Sequence, residues 1–296
     1  MSCDHPPAVR AALRRSVLAV SVLDDVDVDP DDDGVHLPGC APLAWADVAA
    51  AAGTAVAAGT TDPAGTSGGA ADGGPGAAAR LRVRQLLLAH RELHRSGARR
   101  VALAVPRGAE RHPGAGWAAR PLLGGALDLG LGVVVAHDGR ERVLPVPAVS
   151  ARVTGSAAAP GAGELEHLEA MGALAARRLL RDEGARGGGV LRPVGGCDVP
   201  TLLASAALRA HLVDGPAGAR GATGAAAVMR AVAVPDRTRG WFDLARVDPA
   251  FVVAAWAVTD PADRGLRRPV LVTREEVAPA PVAVDVAGVA GAVLRL

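Results

Sequence analysis

The sequence predicts an α/β (or α+β) fold, with a mixed sheet and helices that follow a small N-terminal segment and a flexible linker. Three observations lead to this prediction. Apolar runs of strand length alternate with longer helical patterns over residues 80–296. The pair Asp138-Gly139 joins two apolar runs, as in a β-hairpin. A chain of 296 residues, half of them hydrophobic, is long enough to bury a substantial core.

The first 58 residues are predicted to form a small acidic segment. Residues 8–23 are compatible with an amphipathic helix or with a strand, and the pattern does not separate the two. An acidic turn follows at residues 24–34, and a short helix is predicted at residues 45–52. Residues 59–79 consist mainly of Gly, Ala, Thr, Ser and Pro, which is typical of a flexible linker.

Residues 80–296 are predicted to form the main domain, with one loose internal loop at residues 149–163. The predicted helices of this domain are residues 80–95, 164–181, 198–212 and 248–259. The predicted strands are residues 99–106, 126–136, 141–147, 190–194, 227–235 and 270–277, with one more in the apolar tail at 282–296. Asp198 and Asp248 are the predicted N-caps, because each precedes a proline in the first turn of a helix.

The composition excludes several classes of chemistry. The chain has no lysine and no tyrosine, so all 32 basic residues are arginines. Without lysine there is no phosphate-binding GxxxxGK[ST] loop, no kinase-type nucleotide lysine and no pyridoxal Schiff base. Without tyrosine, a phenolic acid, base or nucleophile is absent. Any function therefore has to use Arg, His, Cys, acidic residues or the backbone.

Charge, cysteine content and hydropathy point to a soluble cytoplasmic protein. The net charge is +1, so the whole chain has no strong attraction to nucleic acid or to an anionic membrane. The three cysteines lack the paired spacing of a disulfide framework or a zinc site. No signal peptide and no apolar run of membrane-spanning length is found. We therefore expect no membrane partner, and the sequence leaves the oligomeric state and any cofactor unknown.

Two patterns resemble metal sites, and we expect neither to bind a metal. The acidic run from Asp29 to Gly34 matches the first half of a calcium loop, but Cys40 stands where a bidentate glutamate is needed, so a solvated turn is favoured. His90 and His94 lie four residues apart on one face of the predicted helix. That face also carries Val83, Leu86, Leu87 and Leu93, so partly buried histidines are favoured over a metal pair.

Cys197 is a candidate nucleophile. It follows two glycines, Gly195 and Gly196, and precedes a predicted helix N-terminus, an arrangement that lowers the pKa of a thiol and suits a bound anion. His167 and His211 are the histidines that could act as its base. A small buried cysteine in a tight turn is the more ordinary interpretation.

A second candidate site is the loop around Arg237, Thr238 and Arg239. This loop follows a predicted strand, and ligands of α/β sheets bind beyond the carboxyl ends of strands. Two arginines flanking a threonine can bind a phosphate or a carboxylate. The turn Gly195, Gly196 and Asp198 also follows a strand, so both loops are predicted to contribute to one site. The alternative is a solvent-exposed basic turn.

Nucleic acid is not an expected partner. Residues 80–100 carry seven arginines against one glutamate, and a basic helix of this kind can bind phosphates. No interleaved aromatic residues and no known DNA-binding motif accompany the arginines. A solvated helix face is the favoured interpretation.

Six strings of the sequence are informative when taken together: VHLPG (35–39), LEAMGALAA (168–176), VLRPVGGCDV (190–199), MRAVAVPDRTRGW (229–241), DPAFVVAAW (248–256) and RPVLVTREEV (268–277). Together these strings resemble a family of actinobacterial proteins to which no activity is assigned. The resemblance covers most of the chain outside the linkers and is densest over residues 165–277. It implies no catalytic residue, because the family supplies none.

The leading hypothesis is therefore a binding or regulatory protein for a small anionic ligand, held by Arg237, Thr238 and Arg239 with the Gly195–Asp198 turn. One alternative is an enzyme with Cys197 as its nucleophile. Another is a structural or interaction protein without a ligand. The sequence leaves open whether the protein is an enzyme.

Overall fold

The computed structural model describes residues 6–53, 77–107, 109, 111–137, 140–155, 158–186, 190–214, 229–242 and 246–279. The helices in these ranges are α1 Pro7–Asp24, α2 Trp45–Ala52, α3 Ala77–Leu93, α4 Ala148–Val153, α5 Ala162–Arg186, α6 Val199–Leu202, α7 Ala206–Asp214 and α8 Pro249–Val258. The strands are β1 Asp29–Pro30, β2 Gly34–His36, β3 Leu43–Ala44, β4 Arg100–Pro106, β5 Ala119–Leu122, β6 Leu127–His137, β7 Arg140–Pro145, β8 Val190–Leu191, β9 Arg230–Asp236, β10 Arg239–Trp241, β11 Val270–Val272 and β12 Val277–Pro279.

The strands form three sheets, which confirms the predicted mixture of sheet and helix. One sheet has the order β1-β2-β3 and a second has the order β12-β11-β9-β10-β8. A third sheet has the order β4-β6-β5, with β7 paired to β6. In the first two sheets the neighbouring strands are antiparallel, and β6 and β7 are antiparallel as well. The α+β form of the prediction is the one that matches this pairing.

Two of the local sequence signals are confirmed. Strands β6 and β7 pair in register from Gly132↔Pro145 to His137↔Arg140, so the Asp-Gly pair joins two strands of a hairpin. Asp198 and Asp248 cap α6 and α8: each side chain accepts a hydrogen bond from a backbone amide of the first helical turn. The open choice over residues 8–23 is settled as well, because α1 spans them.

Three predicted elements are corrected by the structure. The loop predicted over residues 149–163 contains α4 and the start of α5. The helix predicted from residue 198 to 212 is broken after α6, where the chain turns at residues 203–205 before α7. The single strand predicted over residues 270–277 is a hairpin, in which β11 pairs with β12. The hairpin turns locally, with Val272 opposite Val277, whereas the start of α7 after the helix break is bound by Glu169 of α5, which is distant in sequence.

Part of the predicted organisation lies outside the described residues. This applies to residues 59–76 of the predicted linker and to the apolar tail at 282–296. The last three residues of the predicted linker, 77–79, begin α3.

The chain divides into two compact units. Unit 1 comprises Met1–Leu103, Glu110–Ala119 and Gly130–Gly161, and unit 2 comprises Ala104–Ala109, Arg120–Leu129 and Ala162–Leu296. Strands β4 and β6 therefore contribute residues to both units.

In unit 1, α1 and α3 supply much of one apolar core. Leu13, Val17 and Val20 of α1 are buried at a spacing of three or four residues, which is why this segment is a helix and not a strand. The last residue of α1, Asp24, is bound by an arginine of α3. Arg84 forms a bidentate ion pair with Asp24, whose side chain is only 2% exposed.

In unit 2, α5 and α7 are in contact, as are α8 and strand β9. Valines 232 and 234 of β9 are fully buried, as are leucines 202, 203 and 208 near the helix break. Glu169 of α5 stabilises the N-terminus of α7, since its carboxylate accepts hydrogen bonds from the amides of Ala206 and Ala207 and from the Ser205 hydroxyl.

Candidate functional site

The loop predicted to bind an anion is a tight turn between β9 and β10. The Asp236 carboxylate accepts a hydrogen bond from the Thr238 amide at 2.7 Å and another from the Thr238 hydroxyl at 2.8 Å. This turn is local in origin, because an aspartate readily accepts a hydrogen bond from the backbone two residues further on. The hydroxyl of Thr238 is therefore already used inside the loop. Arg239 begins β10 and its side chain is exposed.

The structure brings this loop together with residue 198, as the two-loop prediction requires. The amide of Val199 donates to the carbonyl oxygen of Arg237 at 2.9 Å. Asp198 Oδ2 lies 3.9 Å from Arg237 Nε. The other oxygen of Asp198 accepts from the amide and from the hydroxyl of Thr201, at 3.1 and 2.6 Å. Asp198 thus acts as a helix cap and as a neighbour of Arg237 at once.

Arg237 is the unusual side chain of this region. It is 18% exposed, and its Nε lies 3.6 Å from Asp263 Oδ1 and 3.9 Å from Asp198 Oδ2. Both distances exceed that of a normal hydrogen bond, and Nε is buried without a hydrogen-bond partner. Its backbone amide donates to the carbonyl oxygen of Asp263 at 2.9 Å. The guanidinium thus lies near the carboxylates of Asp198 and Asp263, while its Nε–H donor has no acceptor.

Gly195 and Gly196 have a conformational role in the structure. Their φ angles of +57° and +88° lie in the left-handed region, which favours glycine. The turn is closed by two hydrogen bonds between Val194 and Cys197, at 3.0 and 2.9 Å. A Cβ atom at Gly195 would overlap the side chain of Met171 on α5. The two glycines thus allow a tight turn that packs on α5.

The environment of Cys197 does not favour a thiolate. The residue is fully buried, and burial together with the negative charge of Asp198 raises the pKa of the thiol to about 12. His167 Nε2 donates to the carbonyl oxygen of Gly195 at 3.1 Å, so its hydrogen bond is made to the turn. His211 lies on α7 and is half-buried. The alternative of a cysteine nucleophile receives no support from this geometry.

His90 and His94 connect α3 to the segment around Ala41. His90 Nε2 donates to the Ala41 carbonyl oxygen at 2.8 Å, and its Nδ1 lies 3.1 Å from the hydroxyl of Ser150. His94 Nδ1 donates to the carbonyl oxygen of His90 at 2.9 Å, and its Nε2 accepts from the Ala41 amide at 3.1 Å. All four ring nitrogens have partners, and burial lowers the pKa of His90. Both histidines are therefore structural.

The acidic turn is also satisfied by its own hydrogen bonds. Asp31 Oδ1 accepts from the amides of Asp33 and Gly34, both at 2.8 Å, and Asp31 Oδ2 contacts His36 Nε2 at 2.8 Å. The backbone hydrogen bonds from Gly34 and Asp33 lower the pKa of Asp31 most. In the part of the chain that the structure describes, no group of three or more His, Cys, Asp or Glu side chains is arranged to hold a metal ion.

The basic helix α3 uses several of its arginines inside unit 1. Arg82 donates to the carbonyl oxygen of Ala52 at 2.8 Å, and Arg91 donates to that of Asp25 at 3.5 Å. Arg84 pairs with Asp24, as described above. These arginines bind neighbouring segments of the same unit, which explains the basic composition of the helix without a phosphate ligand.

Sequence reasoning missed two carboxylates, Asp263 and Glu169. Asp263 reaches Arg237 from a turn 26 positions further along the chain, and Glu169 reaches the start of α7 from the preceding long helix. Burial raises the pKa of Glu169, but the amides of Ala206 and Ala207 and the other donors lower it more, so it lies below the ordinary value. No local motif marks either residue.

Comparison of the chain with protein-family models, curated proteins and solved structures finds no match. The resemblance to an actinobacterial family therefore stays a prediction. Among the described residues, no helix has both the length and the apolar character needed to cross a membrane.

Proposed function

We propose that the protein binds a small anionic ligand at the turn formed by Arg237, Thr238 and Arg239. The observation that supports this proposal is the buried Nε of Arg237, which has no hydrogen-bond partner. A buried guanidinium donor without a partner is costly, and an incoming carboxylate or phosphate oxygen would satisfy it. Arg239, exposed at the start of β10, supplies a second cation on the same turn.

The surrounding charges favour a carboxylate over a phosphate. Asp198 and Asp263 lie within 4 Å of Arg237, and Asp236 belongs to the same turn. These carboxylates partly neutralise the arginine, so a dianionic phosphate would meet more repulsion than a monoanionic carboxylate. The Gly195–Asp198 turn then positions Arg237 and does not itself contact the ligand. This is a change from the two-loop site expected from the sequence.

A thermal-shift screen of small carboxylates and phosphorylated metabolites tests the proposal. A carboxylate at a concentration of about 100 times its Kd stabilises the folded state by roughly 2.7 kcal/mol, which is a measurable rise in Tm. The double variant Arg237→Ala/Arg239→Ala is expected to lose this response. The matched control is Arg268→Ala, which removes an exposed arginine of the same unit.

The proposal fails if no ligand of either class raises Tm, or if the double variant responds like the wild type. If the double variant does not fold, Arg237→Lys keeps the charge but loses the planar set of donors. Isothermal titration of that variant should then show weaker binding with unchanged folding. Equal affinity in Arg237→Lys and in the wild type would contradict the proposed role of the guanidinium.

A reducing, cytoplasmic location belongs to the same proposal. Cys40 and Cys197 are both free thiols, which fits a compartment that keeps thiols reduced. Mass spectrometry of the protein from cells, after rapid alkylation, should find both cysteines reduced. Recovery of either one in a disulfide would contradict this location.

A further inference from the structure

Arg237 and Asp263 form an open ion pair at the proposed ligand site. Arg237 Nε lies 3.6 Å from Asp263 Oδ1, whereas a closed pair of such groups has an N···O distance of about 2.7–2.9 Å. The backbone fixes both residues, because the Arg237 amide donates to the carbonyl oxygen of Asp263 at 2.9 Å. The Nε–H donor of Arg237 has no acceptor, and no described residue donates a hydrogen bond to the Asp263 carboxylate. Both side chains therefore keep hydrogen-bonding capacity for a third molecule.

Asp263 is the carboxylate that a ligand meets at this site. Its side chain is 51% exposed, while those of Arg237 and Asp198 are 18 and 9% exposed. One oxygen of Asp198 is also occupied, since it accepts hydrogen bonds from the amide and the hydroxyl of Thr201. A molecule that reaches the guanidinium from solvent therefore lies beside the carboxylate of Asp263.

The charged groups of the site leave an excess of negative charge. Asp198 and Asp263 both lie within 4 Å of Arg237. The turn adds one carboxylate, Asp236, and one exposed guanidinium, Arg239, which offset each other. A ligand that carries only negative charge is thus attracted by the guanidinium and repelled by the two carboxylates beside it.

The charge of Arg264 is directed away from this pair. Arg264 follows Asp263 in the chain, but its Nε donates to the carbonyl oxygen of Thr259 at 3.2 Å. Its guanidinium lies 4.2 Å from the centre of the Trp256 ring of α8. The positive charge that balances Asp263 is therefore expected to come with the ligand.

We propose that the ligand is an α-amino acid bound as a zwitterion, with its carboxylate on Arg237 and its ammonium group on Asp263. This inference rests on the proposed function and names the class of carboxylate. One carbon atom separates the two charged groups of an α-amino acid, so they match a guanidinium and a carboxylate that are 3.6 Å apart. Each charged group of the ligand then makes a charge-assisted hydrogen bond.

Isothermal titration of the full chain with matched ligands tests the proposal. Each pair shares one carbon skeleton: L-alanine with propionate, L-leucine with 4-methylpentanoate, L-phenylalanine with 3-phenylpropionate, and L-glutamate with glutarate. In the pair that binds most tightly, the amino acid should bind at least about tenfold more tightly than the carboxylate alone, because it adds a hydrogen bond between charged groups. The amine that lacks the carboxylate should bind more weakly than the amino acid. L-2-aminobutyrate should bind more tightly than its isomer 4-aminobutyrate, whose charges are three carbons apart.

Asp263→Asn separates the role of this carboxylate from that of Arg237. The substitution removes one negative charge and leaves the backbone hydrogen bond from the Arg237 amide in place. Binding of the amino acid should weaken about tenfold, while binding of the carboxylate alone should strengthen about threefold, because its repulsion by Asp263 is lost. The matched control is Asp248→Asn, which makes the same charge change at an exposed residue of the same unit and keeps a helix-capping side chain. This control should bind both ligands like the wild type.

The outcomes separate this inference from the proposed function. If the carboxylates bind as tightly as the amino acids, or if Asp263→Asn changes neither affinity, the zwitterion is wrong and the anion site at Arg237 remains. A response to phosphorylated metabolites alone has the same meaning. Equal affinity for L-2-aminobutyrate and 4-aminobutyrate refutes the match to adjacent charges. If no amino acid, carboxylate or phosphorylated metabolite binds, or if the amines bind as well as the amino acids, the proposed function and this inference are both wrong.

Discussion

The hydroxyl of Thr201 makes two buried hydrogen bonds that join separate parts of unit 2. It accepts from the amide of Ala104 in β4 at 2.9 Å and donates to Asp198 at 2.6 Å. Thr201 and Ala104 are both fully buried. Thr201→Val keeps the shape of the side chain, removes both hydrogen bonds and leaves a buried amide without a partner. The loss of the hydrogen bond to the Asp198 carboxylate and the unpaired Ala104 amide together should lower the free energy of unfolding by about 3 kcal/mol.

Thr238→Val is the matched control. Its hydroxyl also donates to an aspartate, Asp236, at 2.8 Å, but the side chain is exposed and water replaces the lost hydrogen bond. We expect this variant to lower the free energy of unfolding by less than about 1 kcal/mol. Urea unfolding followed by far-UV circular dichroism measures both values, and Thr201→Val should also lower Tm by roughly 6–12 °C. Equal costs for the two variants would refute the reasoning that burial makes the difference.

Three further predictions concern buried groups. Burial holds the pKa of His90 below 6.5, so the unfolded chain takes up a proton at a higher pH than the folded chain does. The free energy of unfolding should therefore fall as the pH drops below about 6.5 toward the pKa of His90 in the folded state. His90→Gln should flatten this pH dependence. Cys197 should react with iodoacetamide only after unfolding, whereas the half-buried Cys40 should react in the native protein; fast native labelling of Cys197 would contradict its raised pKa. Gly130→Ala places a Cβ atom against the Trp117 ring and should cost about 1–3 kcal/mol with a shift in tryptophan fluorescence; an unchanged emission spectrum would show that the ring does not pack there.

Signals contained within a few residues predicted their structures well. The hairpin of β6 and β7, the caps at Asp198 and Asp248, and the helix over Trp45–Ala52 are all found as expected. Each depends on hydrogen bonds or steric preferences between close neighbours in the chain. The break between α6 and α7 was missed because it depends on Glu169, more than 30 residues away, which accepts the amides at the start of α7.

In the candidate site, too, local signals were predicted from the sequence and contacts between distant segments were not. The sequence identified Arg237 and Asp198, and the structure brings them together. It did not identify Asp263, which changes the site from two paired arginines to one arginine between two carboxylates. The hypothesis that a helix N-terminus lowers the pKa of Cys197 also differs from the structure, whereas the interpretation as a small buried cysteine in a tight turn agrees with it. Burial dominates there, and burial depends on packing that the local sequence does not encode.

By itself the sequence determined which chemistry is absent and where several local elements form, namely the β6–β7 hairpin, two helix caps and the helix over Trp45–Ala52. The missing lysine and tyrosine exclude whole classes of enzyme whatever the fold, because no arrangement can supply an absent side chain. The sequence favoured buried histidines and a buried cysteine, but only the tertiary structure supplied the hydrogen-bond partners of His90, the complete burial of the Cys197 thiol and the exposed apolar surface of α8. Desolvation and exposure are properties of the whole packed unit, so contacts between segments distant in sequence set them.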